Sequence, residues 1–151
     1  MKKGIFIGLF LTLVFCLLAA QSKQTKPFEG NWELISSTGK YTDEKGAVQN
    51  INFKKDANNY GMKLIHDDYF MFVGQEMVNG VVTANYGYGT YTYKNNIYME
   101  KIIFISGKEF TGKSPSYEMT VKGDTLIQKG PLKIGDFKDG KIEFTETYIR
   151  K

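Results

Sequence analysis

The chain has 151 residues, of which 42% are hydrophobic and 15% aromatic, a composition that fits a single globular domain. Removing Lys2 and Lys3, which belong to the amino-terminal segment discussed next, from the 20 basic residues leaves 18 against 16 acidic ones, a balance of +2. Basic and acidic residues alternate, as in FKKDANN and KIGDFKDGK, which excludes the continuous basic stripe that nucleic acid requires.

The first 22 residues, MKKGIFIGLFLTLVFCLLAAQS, place two lysines before an uncharged apolar run from Gly4 to Ala20 that ends in the small pair Ala19-Ala20. Those are the three parts of a secretory signal peptide, expected over residues 1–20. The alternative, a membrane anchor, needs about 20 spanning residues, slightly more than the run supplies. Cys16 lies inside the leader with bulky Phe15 before it, a poor fit to a lipid-modified terminus, so its removal with the leader is expected. The mature chain then carries no cysteine and hence neither a disulfide nor a thiolate metal site. Its destination is the periplasm or cell exterior, in soluble or surface-associated form. Residues 21–27 form a polar tether and residues 28–151 the folded domain.

From Phe28 onward the chain alternates polar and apolar residues with almost no helical period. Strands are predicted over 31–37, 48–54, 61–66, 69–75, 80–86, 89–94, 97–105, 116–122, 124–129 and 141–150. Asn79-Gly80, Asn95-Asn96, Gly123-Asp124 and Asp139-Gly140 mark links between them, and Asp67-Asp68 reads as the turn before Tyr69. So many short antiparallel strands can form a sandwich or a closed barrel. The barrel is favoured because closure pairs every edge.

Parity assigns faces. If Trp32 and Arg150 point inward, so do Leu34 and Ser36 on the first strand and Tyr148, Glu146, Phe144 and Ile142 on the last. On 97–105 the face with Tyr98, Glu100, Ile102 and Phe104 is preferred inside because the other buries Lys101, although a one-residue bulge would reverse part of that choice. Tyr91, Tyr93, Tyr98, Tyr117 and Tyr148, with Glu100 and Glu146, then surround a partly polar interior. They either line a ligand cavity or serve as amphipathic core residues, the carboxylates pairing with Arg150, tyrosine hydroxyls or backbone amides. The lone Trp32 reads first as a core plug. An arginine stacked on its indole contributes about 0.5–2 kcal/mol of cation-π attraction.

His66 is the only histidine and its neighbours Asp67 and Asp68 alternate in direction, so no metal site or histidine-based triad is read here; no G-x-S-x-G nucleophile and no phosphate-binding glycine loop occurs either.

The ordered set Gly30 and Trp32, Lys63 to Phe70, Gly89-Thr90-Tyr91 with Tyr98 and Glu100, Gly123 to Leu126 with Gly130, and Glu146 with Arg150 resembles the lipocalin-like proteins of unknown function exported by Bacteroides-type bacteria, within the lipocalin and fatty-acid-binding superfamily. The resemblance implies a small antiparallel β-barrel, all-β, closed at one end where the Gly30 and Trp32 strand meets Arg150 of the last strand. The expected function is non-enzymatic binding of a small, partly hydrophobic or amphipathic molecule in the open end, with tentative ligand contacts Tyr91, Tyr93, Tyr98, Glu100, Tyr117, Glu146 and Tyr148. The alternative is a structural or protein-interaction module with a filled barrel. No cofactor, nucleic-acid partner or transmembrane segment of the mature chain is expected.

Overall fold

The computed structural model describes residues 26–43, 45–106, 110–133 and 141–151. The leader with Cys16, most of the tether and the Asp139-Gly140 turn lie outside them. The described residues form nine strands: β1 (Gly30–Thr42), β2 (Val48–Lys54), β3 (Tyr60–His66), β4 (Tyr69–Val78), β5 (Val81–Lys94), β6 (Ile97–Ile105), β7 (Ser116–Lys122), β8 (Thr125–Lys133) and β9 (Lys141–Arg150). All pairings are antiparallel, and β1 closes the sheet by pairing with β9 from Trp32 opposite Arg150 to Thr42 opposite Lys141. The opposite edge of β1 is divided. Its first residues pair with β3, and Ser36 to Thr42 pair with β2. The result is an eight-stranded closed barrel, β1-β3-β4-β5-β6-β7-β8-β9, with β2 as an extra strand beside the far half of β1. No described helix is long and apolar enough to cross a membrane.

The hairpin links follow from residues that tolerate a left-handed backbone. Asp67 and Asp68, Asn79 and Gly80, and Asn95 and Asn96 all have positive φ in consecutive pairs, as a two-residue turn between twisted strands requires. Alternation within the strands then sorts the side chains. On β3, Gly61, Lys63 and Ile65 are covered while Leu64 and His66 are exposed; on β6, Tyr98, Glu100 and Ile102 are buried while Met99, Lys101 and Ile103 are exposed.

Two bulges revise the expected faces. A register shift between Leu34 and Ser36 turns Ser36 outward and puts Ser37, buried and opposite Glu146, on the inner face. A second shift, between Tyr88 and Gly89, sets Tyr88 opposite Phe104 and Gly89 opposite Ile102. Phe104 therefore lies on the outer surface, its ring 5.9 Å from that of Tyr86, and Ile105 takes its place inside. The same stretch was expected as two strands, 80–86 and 89–94. It is one, because β4 pairs with it continuously from Val81 to Thr90. Its glycines make room for rings from β4: a Cβ on Gly87 would lie 2.8 Å from Phe72, and one on Gly89 would lie 2.7 Å from Phe70.

The outer face carries a registered apolar row, Leu64, Met71, Tyr88 and Phe104, running across β3 to β6.

Candidate functional site

The interior has two halves. At the closed end, Phe28 inserts beneath the first strand with its ring 4.6, 5.6 and 5.8 Å from those of Tyr93, Tyr98 and Tyr91. Trp32 is fully buried and donates from Nε1 to the Phe28 carbonyl at 2.7 Å. The Arg150 guanidinium lies 4.2 Å above the indole and donates to the carbonyls of Glu29 and Pro27, each at 2.8 Å. Its charge is thus spread over a π face and two carbonyl dipoles, with no carboxylate partner among the described residues. Gly30 makes this possible: at φ +143°, a Cβ there would sit 2.4 Å from Arg150 Nη1. Lys26 and Pro27, the last residues of the expected tether, are held at this end. Lys26 pairs with Asp68 and donates to the Tyr91 hydroxyl at 3.2 Å, while that hydroxyl donates to Glu29 at 2.7 Å. Burial, reinforced by the Glu29 bond, pushes the Tyr91 phenol up to about 12.

The other half holds a cavity of about 440 Å³ that runs from mid-barrel to the opposite mouth. A filled interior is excluded for this half, and the volume falls within the range of small-molecule sites. Apolar side chains from many strands form the walls, among them Leu34, Phe72, Ile102, Ile105, Phe144 and Ile142; Tyr60, Gln75 and Glu76 stand near the mouth.

The floor is polar. Lys63, 5% exposed, donates from Nζ to Glu100 Oε1 at 2.7 Å and to Gln128 Oε1 at 2.8 Å. Its ammonium also lies 5.5–5.7 Å from the ring centroids of Tyr98, Phe70 and Tyr117. Beside this set, Glu146 accepts a 2.7 Å hydrogen bond from the Tyr148 hydroxyl. The register explains the gathering: Lys63 is opposite Trp32, Tyr148 is opposite both Leu34 and Leu126, and Gln128 is opposite Glu146.

Of the residues expected at a ligand site, Glu100, Tyr117, Glu146 and Tyr148 line this cavity. Tyr91, Tyr93 and Tyr98 do not reach it, because Phe28 occupies the space between them and Trp32 closes that end. Tyr98 is fully buried; its hydroxyl completes no ordinary hydrogen bond among the described residues, although burial and then the nearby Glu100 carboxylate hold its pKa well above the usual phenol range. Sequence reading missed Lys63 and Gln128 as members of the floor. The available signal was parity, which puts Lys63 on the face of Ile65 and Gln128 on the face of Leu126.

Burial pushes the Glu146 carboxyl upward; Lys63 and the Tyr148 hydrogen bond oppose this, and Glu100 adds to it. A folded state that holds this proton more tightly than the unfolded chain loses stability as pH rises from the ordinary carboxylate range through the raised pKa. Glu146→Gln should therefore raise the urea midpoint at about pH 7 and give a smaller gain at about pH 4. A lower midpoint for the variant at both values would contradict this account.

Comparison of the chain with models of protein families, with curated proteins and with solved structures gives no match. The fold and site by themselves define an antiparallel eight-stranded barrel with one supplementary strand, plugged at one end and hollow at the other.

Proposed function

We propose that the protein is a lipocalin-like, non-enzymatic carrier that binds a small amphipathic molecule in the open half of the barrel, and that it acts after export. One observation supports this above the others: the cavity of about 440 Å³ has apolar walls and a floor of hydrogen-bonding side chains. Burial of an apolar ligand body in it contributes about 25 cal/mol per Å² removed from water, and the floor orients a polar end.

Titration with N-phenyl-1-naphthylamine, a neutral probe whose fluorescence rises in apolar surroundings, tests the reading. Saturable binding at one site per chain is expected. Ile142→Trp narrows the cavity lining near the mouth and should weaken the affinity by about tenfold or more while leaving the thermal midpoint close to that of the parent. Absence of saturable binding, or an Ile142→Trp variant that binds as well as the parent, would overturn the proposal. The second reading, an interaction module, draws on the exposed row Leu64, Met71, Tyr88 and Phe104 and requires no occupant of the cavity.

A further inference from the structure

The charges on the cavity floor do not balance, and the imbalance has a location. Lys63 is already neutralised: one carboxylate and one amide oxygen accept from its ammonium, and three aromatic rings surround it. An incoming anion would have to compete for it with Glu100 and Gln128. Glu146 differs. Its single hydrogen-bond donor among the described residues is the Tyr148 hydroxyl, and no described lysine, arginine or histidine nitrogen forms an ion pair with it within 4.0 Å.

The remaining charged residues of the lining do not alter this. Among the described residues Glu76 and Lys113 also border the cavity, one of each sign, and the inner set of Lys63, Glu100 and Glu146 carries one negative charge in excess. Glu146 is half-buried on the cavity wall, and a carboxylate that gives up part of its hydration there favours a counter-ion or a proton. The side chains around Glu146 suit the first option, because Tyr117, Phe144 and Tyr148 line the same part of the cavity, with the Tyr117 and Phe144 centroids 5.8 Å apart. Aromatic faces attract cations.

We infer that the ligand is a cationic amphiphile whose ammonium head pairs with Glu146 among Tyr117, Phe144 and Tyr148, its apolar body extending past Leu34, Ile102 and Ile105 toward the mouth. Long-chain carboxylates are selected against, since one would place three carboxylates around the single ammonium of Lys63. The assignment rests on the cavity's being a binding site and adds the chemistry of its occupant.

The test is displacement of bound N-phenyl-1-naphthylamine by dodecylammonium, dodecanol and dodecanoate, each below its micellar concentration, at about pH 7.5. These probes share a chain length and differ in head group. Dodecylammonium should bind most tightly and dodecanoate least, with about tenfold or more between them. In Glu146→Gln, dodecylammonium should fall to within about twofold of dodecanol, whose own affinity stays unchanged. Tyr148→Phe keeps the carboxylate and should keep the preference. In the parent, affinity for dodecylammonium should decline on acidification as Glu146 takes up a proton in the presence of Lys63, Glu100, Tyr117 and Tyr148, while dodecanol affinity stays level.

Dodecanoate binding as tightly as dodecylammonium, or a cation preference that survives in Glu146→Gln, would overturn the head-group assignment and leave the cavity reading standing. Failure of the naphthylamine and all three dodecyl probes to bind would overturn both. The head-group order is measured on the unaltered protein, so it decides the matter whatever the stability of the variants.

Discussion

Lys63→Met should destabilise the protein by about 3–5 kcal/mol, the cost of removing one partner of a buried ion pair. The substitution keeps most of the side-chain volume, so the loss is electrostatic. Glu100, 5% exposed and 2.7 Å from the ammonium, would lose the cation it is paired with in a low-dielectric interior, and Gln128 would lose its donor. Lys63→Met combined with Glu100→Gln should recover most of that loss, since a neutral amide needs only hydrogen bonds. Urea unfolding followed by circular dichroism measures both. A single variant within about 1 kcal/mol of the parent would mean that water already reaches the pair through the cavity and screens it.

Trp32→Ala should cost a similar amount, about 3–5 kcal/mol, as expected for truncating a large buried aromatic side chain. Its indole is 0% exposed and is the surface on which the guanidinium rests. Removal takes away the cation-π contact and the bond to the Phe28 carbonyl, and leaves a void next to Phe28. Arg150 retains its two carbonyls, so the damage should remain local, and binding of N-phenyl-1-naphthylamine to the folded fraction should persist. A denaturant midpoint close to the parent's would show that Phe28 and its tyrosines close the barrel without the indole.

Much of the architecture was legible from alternation and turn chemistry. Asn79-Gly80 and Asn95-Asn96 marked hairpins because few other residues accept consecutive positive φ. The meeting of Trp32 with Arg150 was implied by the family resemblance of the two motifs, not by strand periodicity, and the structure places the two groups in contact. Faces beyond the bulges at Leu34/Ser36 and Tyr88/Gly89 were not legible, since one extra residue inverts parity without a compositional mark. That is why Ser36 and Phe104 were expected inside and stand outside. Lys63 was hidden by a sound rule applied one strand away. The preference for keeping Lys101 out of the interior was correct, since it stands on the outer face, alternating with buried Glu100 and Ile102, whereas Lys63 enters because β6 and β8 bring Glu100 and Gln128 to meet it. Likewise, Tyr91, Tyr93 and Tyr98 share the expected inner face, but only the coordinates place Phe28 among them and divide plug from cavity.

The seam of this barrel joins the two extremities of the folded chain. Arg150 Nη1 reaches the Glu29 carbonyl across 121 sequence positions, and β1 remains without its β9 neighbour until the last ten residues are in place. A nascent or unfolding polypeptide therefore has hairpins available early, but can close its wall only through the pairing of β1 with β9, a contact of long sequence separation and hence slow to form. Without β9 the wall would stand open between β1 and β8, so that strand is the condition for the barrel to enclose a cavity.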